Sequence, residues 1–390
     1  MKWKLPIALA VFCIPFAAAK ENIRACPLCD ALGAQTLSEQ IQTMDVVVIA
    51  QLMDTIKVRT EGIDGAPTEI PKARFNVSKI VKGAAVLGAE KTIDITFFGD
   101  VQKGDAYLLM GVDPPQVSWI APQRLSPRGR AYIEQVSKLS KNNSVRLLFF
   151  QDHLEDADEM IARDAYDEFA KAPYEDISAI KEKLKHDQVV IWIKSSAIPV
   201  NRKRLYLMML SACGNKNDVP MLEQFLTAKD RSVRRALDSM IACYLMLKGP
   251  SGMQLIEDQF FKNKETAYTD IYAAIMAMRF MGTEGKIVPR ERIVAAIRHL
   301  LDRPKLADLI IPDLARWKDW TVVDKLAQLF KDAEKNKTTW VRVPVVNYLK
   351  VCPLPKAKEL LKELEKIDPD AVRRANTYFP FGGAVEPKRS

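Results

Sequence analysis

Hydrophobic and polar positions follow two different rhythms along this chain, and the change between them divides it. Between residues 45 and 125, β-branched runs are cut by Gly and Pro. Asp45-Val-Val-Val-Ile-Ala50-Gln-Leu-Met53 is an apolar run of strand length, and Ala73 to Gly83 alternates apolar and polar before a glycine turn. Lys91 to Phe98 alternates as well, and Asp105 to Gly111 reads as a buried strand ending in Asp113-Pro114-Pro115. Four or five strands at this spacing predict a small barrel or sandwich.

From about Asn143 the apolar residues recur at helical spacing. Tyr166 to Ala170 and Ile177 to Leu184 carry it, with Pro173 breaking between them. Five helices then start in step, near Arg202, Ser232, Ala267, Pro304 and Trp340, at intervals of 30, 35, 37 and 36 residues. Each is followed by a shorter amphipathic helix: Val219 to Leu226, Gly252 to Phe261, Arg290 to Leu301, Val322 to Phe330 and Pro355 to Leu364. Gly214-Asn215, Gly249-Pro250, Gly282 and Pro353 supply turns between partners. Such a period marks stacked helix pairs, each burying its apolar face on its neighbours. Ile271, Ala274, Ile275, Met278 and Phe280-Met281 form a stripe broad enough for several neighbours. Met208, Met209, Met240, Met246 and Met276 extend it as an adaptable core.

The tetrapeptide Val-Arg-Arg-Ala occurs at 233–236 and again at 372–375, a separation of 139 residues, or four such periods. Each copy follows an aspartate read as a helix cap, Asp230 or Asp368, the second with Pro369 suited to a first helical turn. Arg234-Arg235 and Arg373-Arg374 read first as residues that hold the stack and second as a binding patch. Asn376 to Ser390 carries Pro380, Gly382-Gly383 and Pro387 and supplies no partner helix, so the array is expected to end there.

The N-terminal order of features resembles the netrin-like modules related to tissue inhibitors of metalloproteases. The matching pieces are Asp45 to Ala50, Phe75 to Gly83 and Gly104 to Leu109. That resemblance implies an OB-type barrel. The chain departs from it in having Cys26-Pro27-Leu28-Cys29 in place of Cys-x-Cys, and no cysteines within the barrel. Asp368-Pro369-Asp370-Ala371-Val372-Arg373-Arg374-Ala375 is similar to the first-helix consensus of HEAT-like repeats, especially those of the phycobilin-lyase type; Asp230 to Ala236 lacks the proline. This second resemblance implies an α-solenoid. The expected chain is multidomain α+β. Residues 1–19 form a signal peptide, 20–125 a netrin/OB-like β domain and 126–200 a helical connector or atypical first repeats. A HEAT-like solenoid follows at 201–378 and a disordered tail at 379–390.

Export rests on the first residues: Lys2 and Lys4, the apolar run Leu5 to Phe16 and Ala17-Ala18-Ala19, with cleavage between Ala19 and Lys20. The run is shorter than the roughly 20 residues that span a bilayer. The protein is therefore expected in the periplasm or outside the cell, not spanning the membrane. Cys13 follows Phe12, whereas a lipid-modified cysteine follows a small residue. The formal charge of +9 becomes +7 without Lys2 and Lys4, and the basic residues are interleaved with acids. A nucleic-acid partner would require a basic stripe with aromatics interleaved. Arg202-Lys203-Arg204 and Arg234-Arg235 are too short for one, and none is expected.

Cys26 and Cys29 are the most suggestive chemical pair. An oxidising compartment favours a disulfide between them, while a position opening a helix (Asp30 to Met44) would suit a redox dithiol. Covalent haem requires His after the second cysteine, where Asp30 stands, and zinc requires two further ligands. Cys213 and Cys243 lie at one register position in adjacent units and are expected as buried thiols, with Cys352 a third. Arg316, Trp317 and Trp320 stand at an inter-helix turn, where aromatics with Arg form binding hot spots or pack between repeats. Trp192 and Trp340 are expected in the core. His153 with Glu155, Asp156, Asp158 and Glu159 could hold a metal, although an acidic helix start is also ordinary.

No nucleophile elbow, zinc-protease motif or phosphate loop occurs, and His153, His186 and His299 are scattered. The expected function is a non-catalytic, exported interaction or scaffold protein of the cell envelope, binding a protein or envelope component and using no cofactor or metal. The alternatives are an envelope thiol-disulfide protein acting through Cys26 and Cys29, or a lyase or cofactor chaperone by analogy with HEAT-like lyases.

Overall fold

The apolar run from Val46 to Ala50 lacks alternation because its strand, β1 (Val46–Glu61), is covered on both faces there. The computed structural model describes residues 35–61, 67–97 and 102–377. The signal-peptide reading with its Ala19–Lys20 junction, the Cys26–Cys29 pair and the 379–390 tail lie outside the described residues. The protein is mixed α+β, about 60% helical, with a curled antiparallel half-barrel sheet near the N-terminus.

After β1 come β2 (Pro67–Lys82), β3 (Thr92–Thr96), β4 (Ala106–Val112), β5 (Ser118–Trp119) and β6 (Gln123–Leu125). The order is β3-β2-β1-β4-β5, with β6 also paired to β4. Register shifts at Val47/Val48, Ile49/Ala50 and Leu52/Asp54 mark irregularities in the β1–β2 ribbon, of the kind that bends and twists a strand pair. Val46, Val48, Ala50 and Leu52 face the hollow with Phe75, Ile93, Tyr107 and Leu109. Val47 and Ile49 face outward and join the helical core. Gly83 turns the chain at the end of β2 with φ 78°, where a Cβ would collide with the Asp45 carbonyl.

Helix α1 (Leu37–Thr43) precedes the sheet, and α2 (Ala84–Leu87) sits between β2 and β3. Then follow α3 (Pro127–Val136), α4 (Asn143–Gln151), α5 (Glu159–Lys171), α6 (Tyr174–Ala179) and α7 (His186–Lys194). From α8 (Val200–Cys213) the helices alternate: α9 (Val219–Thr227), α10 (Leu237–Lys248), α11 (Met253–Ile256, continued by a π-helical turn at Glu257–Lys262) and α12 (Tyr268–Phe280). The series ends with α13 (Arg290–Ile297), α14 (Ile311–Arg316), α15 (Val323–Lys331), α16 (Arg342–Val351), α17 (Pro355–Ile367) and α18 (Pro369–Thr377).

Alternate helices pack on one another, α8 on α10, α10 on α12, α14 on α16 and α16 on α18. Arg204 of α8 donates to Asp238 of α10 at 3.1 Å, and Arg279 of α12 donates to Asp313 of α14 at 2.9 Å. Each pair is separated by 34 residues, so one period in sequence is one helix-to-helix step in space. One apolar cluster runs from Leu37 and the outer face of β1 to Ala375, so sheet and helices share a core. It takes in Met208, Met209, Met240 and Met278, with Met246 and Met276 packed at its border.

Two helix starts differ from the sequence expectation. The second begins at Leu237, because 231–236 are turns ending in Ala236 at φ 60°. The fourth begins beyond Pro304, with a 3-10 turn at Ala307–Leu309 that leads into α14 at Ile311. Cys213, Cys243 and Cys352 are free thiols. Cys243 and Cys352 are buried and Cys213 half-buried, and burial pushes the Cys213 thiol up to about 11.

Candidate functional site

Where sheet and helices meet, Asp164 of α5 is buried and ties three elements together. It accepts from the Leu37 amide at 2.6 Å and from the Tyr132 hydroxyl at 2.8 Å, joining α1 and α3 to α5. Burial pushes its carboxyl up to about 7. Nearby, Arg146 donates to both oxygens of Glu168 at 2.7 Å and to Ser38 at 2.9 Å, and Lys171 pairs with Glu39. These charges line a groove of about 770 Å³ bounded by α1, the end of β2 and α3 to α5. Glu39, Arg146, Glu168 and Lys171 all have partners within its wall, so the groove is a clamp between elements.

The acids around His153 are likewise bonded to neighbours. Asp158 caps α5 by accepting from the Met160 amide at 3.0 Å, and Asp156 pairs with Arg128. Glu155 and Glu159 both hold the buried Arg202, at 3.3 and 2.7 Å. His153 Nδ1 lies 2.9 Å from the Phe149 carbonyl. Among the described residues no three His, Cys, Asp or Glu side chains converge on a metal position.

Of the candidates, Arg316 closes α14, and Trp317 and Trp320 occupy the link between α14 and α15. Trp317 packs on Gly282, where an added Cβ would come within 2.6 Å of its ring. Trp320 meets Tyr348 edge-on, with centroids 5.2 Å apart, and both tryptophans border the core. Arg316 is exposed and pairs with Asp313 at 2.7 Å. The two rings are therefore packing residues, Trp317 against the α12–α13 link and Trp320 against α16. Trp192, half-buried, packs on Tyr206 with centroids 4.6 Å apart. Trp340 departs from the core expectation: it is 50% exposed.

Trp340 belongs to the opposite edge of the array, where each pair's second helix leads into the next pair. Each of these links bonds the start of a neighbouring pair. Arg231, in the link before α10, donates to Thr269 at 2.6 Å and Asp270 at 3.0 Å in the first turn of α12, and Arg234 meets Asp270 at 3.3 Å. Arg303 in the next link donates to the carbonyls of Asn263 and Lys264, both at 3.3 Å. The Trp340 indole then hydrogen-bonds Asp308.

A cavity of about 410 Å³ opens on this edge, lined by Tyr268, Ile271, Arg303, Pro304, Lys305, Leu306 and Asn336. Tyr268 and Tyr272 are 55% and 43% exposed and stack with centroids 6.3 Å apart. Sequence reading overlooked them, although the 36-residue steps from 268 to 304 and 340 place cavity and Trp340 at one register position. Arg235 is exposed beside Lys203, whereas Arg234 is half-buried and held by Asp270. Comparison with protein-family models, with curated proteins and with solved structures finds no match for this chain.

Proposed function

We propose that the chain is an exported, non-catalytic interaction or scaffold protein of the cell envelope. In this reading a small netrin-like barrel is carried on a HEAT-like solenoid, and a protein or other envelope component seats along the second-to-first edge. One observation carries it: Tyr268, stacked on Tyr272 of the same helix, stands exposed at a cavity lined by α12 and by the links at 303–306 and 332–338, and Trp340 stands exposed just after the second of those links. Half-exposed aromatics around a recess are the usual anchors of recognition. The 34-residue Arg–Asp contacts support the repeat reading, and the curled sheet supports the barrel. Export is supported by the basic, apolar and small-residue order of residues 1–19.

The test is capture from envelope extract by the full-length protein and by a Tyr268→Ala/Trp340→Ala variant matched in melting temperature, with retained components identified by mass spectrometry. A component retained by the wild type and lost from the variant is expected. Identical capture by the two, or recovery of the chain from the cytoplasm with its first residues intact, counts against the reading.

A further inference from the structure

The two edges of the helical array carry different charge. The second-to-first links at 228–236, 263–267, 303–306 and 332–338 hold nine Lys and Arg against four Asp and Glu. The first-to-second links at 214–218, 249–252, 281–289, 317–322 and 352–354 hold three of each. Among the nine cations, Arg231 and Arg234 share Asp270, and Arg303 is turned to carbonyl oxygens. The other six, Lys229, Arg235, Lys264, Lys305, Lys335 and Lys337, form no salt bridge among the described residues. Lys203, 5% exposed and without a carboxylate partner, registers the imbalance: burial, and then the neighbouring Arg235, depress its proton affinity.

We infer that this edge docks an acidic, extended segment of a partner protein that carries an apolar anchor side chain. The inference rests on the interaction reading above and adds the partner's chemistry. Successive first helices stand about 8 to 10 Å apart, so four links span roughly 25 to 30 Å, the length of about eight or nine extended residues. The cavity between Tyr268, Ile271, Pro304 and Leu306 has room for one aliphatic or aromatic side chain, with Arg303 and Lys305 at its rim for the acids on either side. A polyanion without apolar groups would leave that recess and the exposed rings uncovered. A flat lipid surface would not enter the recess.

The full-length protein is titrated by isothermal calorimetry with a nine-residue glutamate peptide carrying a central Phe. Micromolar binding is expected, weakening about tenfold or more between about 50 and 300 mM salt as the charges are screened. Replacing the peptide's Phe by Ser is expected to weaken it about tenfold, as is Lys305→Glu/Lys335→Glu in the protein. Lys216→Glu/Lys318→Glu on the other edge is the control and leaves affinity unchanged, with melting temperatures equal throughout.

Absence of binding at about 1 mM peptide overturns the inference, and so does equal weakening by the two charge-reversed proteins. Indifference to the Phe overturns it as well, as does tighter binding of a single-stranded oligonucleotide or of anionic vesicles. The two readings fail separately. An envelope partner captured equally by wild type and by Lys305→Glu/Lys335→Glu leaves the interaction reading standing and removes this one. Loss of all capture with peptide binding intact does the reverse.

Discussion

Val233 to Ala236 and Val372 to Ala375 are the same tetrapeptide in two backbones. The second copy lies inside α18, where Pro369 opens the helix and Asp368 accepts from the Ala371 amide at 2.8 Å while pairing with buried Arg342. The first copy is a turn. Asp230 there bonds the amide and hydroxyl of Ser232 at 2.8 and 2.7 Å, a local arrangement that competes with capping. Arg234 reaches Asp270 in the next pair, and Ala236 takes φ 60° before α10 begins. Four identical side chains thus follow the bonds available to their neighbours: a proline and a capping acid on one side, an acid one pair away on the other.

The largest break in that comparison is expected from Asp368→Ala. It removes the α18 cap and leaves Arg342, 7% exposed at its side chain, with the exposed Glu334 at 3.0 Å as its carboxylate and the Phe330 carbonyl at 3.4 Å. Such losses cost about 2 to 3 kcal/mol, read as a lower midpoint in chemical unfolding. Asp230→Ala, at a fully exposed site, is expected to leave the midpoint within reproducibility. Burial alone would raise the Asp368 carboxyl, but the Ala371 amide and Arg342 outweigh it and hold it below the usual range. Its contribution is therefore present above the ordinary aspartate pKa and lost as pH falls through the lower folded value, so the wild-type advantage narrows below about pH 4.

Asp270→Ala comes next, at about 1 to 2 kcal/mol, because Arg234 has an enclosed Nε without a hydrogen bond and would lose its carboxylate too. Its counterpart Asp370→Ala breaks only an exposed pair with Arg373 and is expected to change the midpoint little. The sharpest test uses the last residue of each copy. Ala375→Gly removes a buried methyl from a helix and should cost about 1 kcal/mol. Ala236→Gly relieves a left-handed alanine at about 1 to 2 kcal/mol against the loss of one buried methyl, so a gain of about 0.5 kcal/mol is expected in the same unfolding assay. A loss at both positions would mean that the two copies share one backbone.

Much of the array was legible because its period is long and its helices amphipathic: α8, α12 and α16 lie within a few residues of the starts read at Arg202, Ala267 and Trp340. The misplaced start at Ser232 came from reading Asp230 as a cap, when Ser232 takes both of its oxygens. β1 and β2 run beyond their apolar segments, since their extension to Glu61 and from Pro67 rests on pairing with each other, not on a core. The site was less legible. At their turn position Trp317 and Trp320 read either as hot-spot or as packing residues, and Gly282 and Tyr348, far away in sequence, receive their rings. Tyr268 and Trp340 carried no local sign of exposure, because α12 and two later links must meet before the recess beside Tyr268 exists.

The sequence by itself determined the two textures and the helical period. Both depend on residue type and spacing along the chain, whereas the excess of cations in the second-to-first links emerges only because the structure makes links of 231–236 and 303–306. The tertiary structure decided which acid each arginine meets, which tryptophans are covered and which edge holds the recess. Those outcomes rest on partners some 34 residues away, and no local pattern encodes whether such a partner arrives as a carboxylate, a glycine or open solvent.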